Sequence, residues 1–148
     1  MIKILRRKPK KWLTLEECEN LFKAYKEVYK GEPLPPFSRR YPDKLESILG
    51  SVSASWDAKD LHPTILDAAA AYFNKFIRGQ FIVNGNKRMG VLYTHYFLLS
   101  HNIDFTLTDN ELFVFAGLVA EASEAGIKPT ETLKWCRKVI RNFTKEKV

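Results

Sequence analysis

Apolar residues recur every three to four positions through most of the chain, and short polar or Gly/Pro interruptions cut that rhythm into six helical segments. Thr14-Leu15-Glu16-Glu17 is a capping box, because a Thr hydroxyl and a Glu three residues on can each satisfy an orphan helix N–H. Leu15, Cys18, Leu21, Phe22, Tyr25, Val28 and Tyr29 follow at helical spacing, and Gly31 closes the segment. The stretch EPLPPF (32–37) reads as an irregular connection, since proline removes a donor and fixes its own φ. A shorter helix then fits Asp43 to Val52, with Leu45, Ile48, Leu49 and Val52 inward. His62-Pro63-Thr64 opens a third helix, where proline suits the first turn. Its stripe is Ile65, Ala68, Ala69, Tyr72, Phe73, Phe76 and Ile77, and Gly79 stops it. The small residues from Ala68 to Ala71 let a neighbouring helix come close.

A fourth helix, from about Lys87 to His101, is apolar on several sides (Val91, Leu92, Tyr96, Phe97, Leu98, Leu99), which places it centrally. Asn102 ends it in a left-handed conformation. Asp104 to Leu107 alternates briefly and reads either as one strand or as a connector. Thr108-Asp109-Asn110-Glu111 repeats the capping box and launches a helix with Leu112, Phe115, Ala116 and Val119 inward, ended by Gly126. Thr130 is expected to cap a last helix carrying Leu133, Cys136, Val139, Ile140 and Phe143. The expectation is an all-α domain of about six helices around the central helix that follows the NGNKR loop.

With 148 residues and 45% apolar composition, the chain has the material for one ordinary domain and its core. Residues 1–12 form a basic N-terminal arm, 13–143 the helical domain, and 144–148 a basic C-terminal tail; the two ends are the expected loose pieces. No run of eighteen apolar residues is present, and the basic start MIKILRRKPKKW lacks the apolar stretch of a secretory signal. A soluble, cytoplasmic protein with no membrane contact is expected. Cys18 and Cys136 lie in no CxxC or Cys/His cluster, so the reading is two reduced, packed thiols and no metal site.

The net charge of +7 sits at the ends. Residues 1–12 carry six cations and no acid, and residues 128–148 carry seven against Glu131 and Glu146, so the middle is net acidic. Any general attraction to polyanions would come from the termini. Nucleic acid ranks last among partners, because no RRM, zinc or helix-turn-helix signature accompanies the charge.

The densest candidate chemistry is the stretch QFIVNGNKRMG (80–90) between the third and fourth helices. A helix N-terminus exposes unpaired N–H groups and about half a positive charge, so an anion is stabilised there. Gly85 permits close backbone approach or a positive φ, and Asn84 or Asn86 can cap. Lys87 and Arg88 add two charges, and Arg78 could face the same spot across the turn. The combination suits phosphate better than carboxylate or metal. On chemistry alone an ordinary tight turn with a solvated Lys-Arg pair is as good a reading.

At these residues the sequence resembles the Fic/Doc (Fido) family, whose signature is His-x-Phe-x-Asp/Glu-Gly-Asn-Gly/Lys-Arg; the Asn-Lys-Arg version resembles the death-on-curing, or Doc, branch. DKLESILGSVSASWDAKDLHPTILDAAAAYFNKFIRGQ is similar to the Doc-type approach to the loop, and VLYTHYFLLSHNIDF to the helix after it, so the likeness covers roughly residues 13–140. The resemblance implies an all-α Fido fold whose loop grips nucleotide phosphates. Family members move AMP or a phosphoryl group onto a protein hydroxyl, as in toxin-antitoxin systems. Gly85, Asn86, Lys87 and Arg88 match the phosphate-binding part. The implied ligand is ATP or another nucleotide, and the implied partner is an antitoxin-like inhibitor or a target protein.

Two positions depart from the signature. The family's catalytic His falls at Gln80 and its acid at Asn84. A carboxamide has no basicity near neutral pH, and losing a general base removes about two to four orders of magnitude in rate. Asn84 offers a neutral carbonyl where magnesium among phosphates prefers a carboxylate, so Mg²⁺ should be held weakly or not at all. Ile82 keeps an apolar anchor for the loop, while Phe81 either plugs or caps the pocket. His95 shares a face with Arg88 but lies about 10 Å further along the axis, and His62 and His101 sit at far helix ends; all three read as structural or surface residues. The expectation is a degenerate nucleotide-binding relative of these transferases. An active transferase using the retained cations, or a nucleic-acid-binding module through the basic ends, are the alternatives.

Overall fold

The computed structural model describes residues 1–28, 42–79 and 85–147. The EPLPPF connection, Tyr29, Gly31, Gln80, Phe81, Ile82 and Asn84 lie outside them. In chain order come a 3₁₀ turn Lys3–Arg6, α1 Leu15–Val28, α2 Pro42–Ser53, β1 Ser55–Trp56, β2 Lys59–Asp60, α3 Ile65–Gly79, α4 Asn86–Leu99, β3 Ile103–Phe105, α5 Asp109–Glu124, α6 Pro129–Asn142 and β4 Thr144–Glu146. Among the described residues, six helices and four very short strands make the domain all-α. No helix among the described residues is long and apolar enough to cross a membrane.

Local signals place the helix ends. The Thr14 hydroxyl accepts from Glu17 N–H and the Glu17 carboxylate accepts from Thr14 N–H, each at 3.1 Å, so the first capping box forms reciprocally. Thr108 and Glu111 do the same for α5, and the Thr64 hydroxyl accepts from Asp67 N–H at the start of α3. Asn102 at φ 64° and Gly126 at φ 81° leave α4 and α5 in the left-handed conformation. Thr130 does not cap α6. Lys128 holds the N-cap position and Pro129 the first turn, because proline's fixed φ suits a site where no donor is required.

Tyr72, Phe73 and Phe76 on α3 and Tyr93 and Phe97 on α4 form the aromatic centre of the core. Tyr72 meets Phe97 edge-on at 5.0 Å and Phe76 meets Tyr93 edge-on at 5.3 Å. The helix after the loop therefore lies in the core, but it shares the centre with α3, which α2, α4, α5, α6 and the N-terminal turn all touch. The buried line of α4 runs through Met89, Tyr93 and Phe97, with Val91, Leu92, Tyr96 and Leu99 only half-buried. Two expected inward residues face water: Val28 is 87% and Phe143 42% exposed. Val28 is the last described residue of α1, and Phe143 follows the end of α6.

The close approach of α3 and α4 is made at Gly90. A Cβ there would lie 2.6 Å from Ile77 Cδ1 and 3.3 Å from Phe76 Cβ. The Ile77 methyl can swing aside, but Phe76 Cβ is fixed to the α3 backbone. Gly90→Val is expected to cost about 1–3 kcal/mol by overpacking, read as a lower urea midpoint. Gly90→Ala should cost less, since alanine recovers about 1 kcal/mol of helix propensity.

Both charged ends are seated on the body rather than loose. Leu5, Pro9 and Leu13 are buried; Arg7 C=O accepts from Ile65 N–H at 2.8 Å, and Leu13 N–H donates to the Tyr72 hydroxyl at 3.0 Å. At the other end β4 pairs antiparallel with β3, Phe105 opposite Thr144 and Ile103 opposite Glu146. The brief alternation at 104–107 is thus the flank of a real strand, displaced by one residue. Apolar positions alternate with the cations in residues 1–13, and it is these that anchor the basic segment. Cys18 and Cys136 are buried free thiols, each pushed up to about 12 by burial.

Candidate functional site

The site is built on the first turn of α4. Gly85, the N-cap, has φ 92° and ψ 14°, a left-handed geometry that L side chains resist, and it supplies no side-chain cap. The first intrahelical bond runs from Met89 N–H to Gly85 C=O at 2.9 Å. Asn86, Lys87 and Arg88 precede it and form the first turn, the positive end of the helix. Asn86 occupies the first helical position rather than the cap.

Lys87 and Arg88 leave that turn toward α5. The Lys87 ammonium sits 5.4 Å over the Phe113 ring, a cation–π contact that holds the long side chain against the protein. Arg88 is half-buried and lines a cleft of about 520 Å³, whose other walls include Tyr25, His95, Asp109, Asn110 and Phe113. Arg88 thus lines the cleft, while Lys87 is exposed and lies against Phe113, one of its walls. Asp109 is the one carboxylate among the described lining residues. No group of three His, Cys, Asp or Glu side chains able to hold a metal occurs among the described residues. One carboxylate plus the amide that Asn84 can offer is a poor donor set for Mg²⁺.

His95 lines the same cleft as Arg88. Its Nε2 lies 2.7 Å from Asp104 Oδ1, and its ring meets Phe105 at 5.5 Å, so it ties α4 to β3. The hydrogen bond from His95 holds the Asp104 carboxyl below its ordinary range, helped by the Phe105 N–H. His101 is buried, with Nε2 accepting from Lys10 N–H at 3.0 Å and Nδ1 2.9 Å from Phe97 C=O. That imidazole is structural and anchors the N-terminal segment. His62 is half-exposed before α3, and burial, with the fields of Lys75 and Arg137, pushes it below its usual value.

Arg78 does not join Lys87 and Arg88. Its guanidinium donates to the Thr132 hydroxyl at 3.4 Å and lines a different cavity, between α2, α3 and α6. One helical turn from the loop, its azimuth on α3 decides its direction, and that azimuth faces α6. Gln80 and Asn84 fall outside the described residues. Sequence reasoning missed Tyr25, Asn110 and Phe113 as walls of the cleft. In the sequence Asn110 reads only as part of the α5 capping box, and Phe113 falls off the inward stripe of α5; that off-stripe aromatic beside a cap is the available signal.

A model of the Fic/DOC family matches residues 12–98. The chain belongs to the Fic/DOC family. The match takes in α1 to α4 with the loop between α3 and α4, and ends at Leu98; α5, which supplies one wall of the cleft, lies beyond it. No curated protein and no solved structure matches the chain significantly.

Proposed function

We propose that this Fic/DOC protein is a Doc-like member that binds nucleotide phosphates at the amino end of α4 and is impaired in transferring them. One observation carries the reading. Gln80 and Asn84 stand where the signature has its base and its acid, while at the positive end of α4 Gly85 holds a left-handed geometry, Arg88 lines a cleft and Lys87 lies against Phe113 of its wall. Binding and turnover make separable demands. Phosphate oxygens need donors and positive charge, which the positive end of α4, Lys87 and Arg88 supply. Transfer also needs a proton acceptor at the target hydroxyl, and Gln80 has none to offer. Magnesium would arrive with the nucleotide and be held chiefly by its phosphates.

The chain's biological partner on this reading is a protein, either an antitoxin-like inhibitor or a target, met in the cytoplasm. ATP should raise the melting temperature of the unaltered chain, and Lys87→Ala with Arg88→Ala should abolish that rise. Loss of two phosphate contacts corresponds to about 3–6 kcal/mol, hence more than a hundredfold in affinity. Labelled ATP should give no labelled protein product. A melting temperature indifferent to nucleotides would make the loop a mere turn, and efficient labelling would instead support an active transferase.

A further inference from the structure

Arg78, with no place in the α4 site, marks a second one. The cavity that it lines measures about 580 Å³, within the range of small-molecule pockets. Lys75 stands one turn earlier on α3 and lines the same cavity. Neither cation has a carboxylate partner among the described residues. Lys75 Nζ donates to the Ser51 hydroxyl at 2.8 Å, and Arg78 has only the Thr132 hydroxyl at 3.4 Å. No carboxylate lines the cavity among the described residues. Elsewhere the chain does pair its half-buried cations, as Arg137 does with Asp67.

Two half-buried cations answered only by neutral hydroxyls are electrostatically incomplete. Burial pushes the Lys75 ammonium below its ordinary value, with no anion to offset it, and burial, with the fields of Lys75 and Arg137, lowers His62. The wall is held in place. Thr132, fully buried, donates to Asn74 Oδ1 at 2.6 Å, and Asn74 Nδ2 donates to Pro129 C=O at 3.1 Å, which fastens the start of α6 to α3. The remaining surface is largely apolar, from Ile48, Ala71 and Leu133.

We propose that the α2–α3–α6 cavity is a binding site for a small organic phosphate, its dianionic head between Lys75 and Arg78 and its apolar body against Ile48, Ala71 and Leu133. Two cations match a dianion better than a monocarboxylate, and the guanidinium fork suits tetrahedral oxyanions. The apolar wall excludes bare inorganic phosphate as the best ligand. The site is separate from the α4 turn and stands whether or not that turn binds nucleotide.

Phenylphosphonate at pH 8, a stable dianion with an apolar body, is the probe. On titration, backbone amide signals of Ser51, Ala71 and Thr130 should move and saturate at millimolar ligand. Benzoate and inorganic phosphate should each bind about tenfold more weakly. Lys75→Met and Arg78→Gln should each abolish the shifts, while Lys87→Ala with Arg88→Ala leaves them intact. Lys75→Met should also melt no lower than the unaltered chain, because it removes an uncompensated charge; that separates lost binding from lost folding. Shifts confined to Asn86–Met89, full binding by Lys75→Met, or no shift at millimolar ligand would each overturn the proposal.

Discussion

Gln80→His together with Asn84→Asp is expected to raise transfer of label from ATP to protein by about two to four orders of magnitude over the unaltered chain. The first change returns an imidazole, whose affinity for protons balances near neutral pH, to the position where the family signature has its base. In energy this is about 3–5 kcal/mol of barrier. The second returns a carboxylate to the position where the signature has its acid, and the described lining of the cleft offers only Asp109. Each single change should recover only its own share, because an unmetallated phosphate group and an undeprotonated hydroxyl are separate obstacles whose costs add. Label transfer should vanish again when Lys87→Ala and Arg88→Ala are added. If the unaltered chain labels protein as well as the double variant does, impairment is the wrong reading and phosphoryl positioning alone suffices, as phosphoryl-transfer chemistry permits.

Phe76→Ala should be the most damaging single truncation in the core, lowering stability by about 3–5 kcal/mol. Phe76 is fully buried, stacks on Tyr72 at 5.6 Å, meets Tyr93 edge-on at 5.3 Å, and backs the close approach at Gly90. Removing it leaves a void between two helices whose backbones are already near each other, so little collapse can fill it. Against a total of about 5–15 kcal/mol, the loss consumes a large share of the stability. Phe113→Ala is the control. That ring is 38% exposed and packs against Lys87, so its loss should leave the urea midpoint nearly unchanged while weakening nucleotide binding. Equal destabilisation by the two substitutions would mean that the interface of α3 and α4 is not the stabilising centre.

Much of this molecule was legible because its signals are short in range. Thr14 with Glu17 and Thr108 with Glu111 bond within one turn, so their residues announce two helix starts wherever those helices pack. Gly85 and Asn102 likewise carry their left-handed geometry in their own chemistry. The β1–β2 hairpin was missed for the converse reason. It turns at Asp57 and Ala58 with φ of 51° and 63°, and Ala58 gives none of the glycine signal that such turns normally carry.

What the linear order decided alone was six helices, two capping boxes, and a loop with Gly-Asn-Lys-Arg at the start of the fourth. Periodicity and capping depend on neighbours three or four residues apart, and the chain writes those directly. Tertiary structure decided the rest. It turned Arg78 away from Arg88 and toward Thr132, set Phe113 of α5 beneath Lys87, buried Leu5 and Leu13 within a segment dominated by charge, and paired β4 with β3. Each of these is a meeting of residues more than twenty positions apart, or a docking against such residues. The azimuths at which helices pack, which no local repeat records, determine which side chains meet.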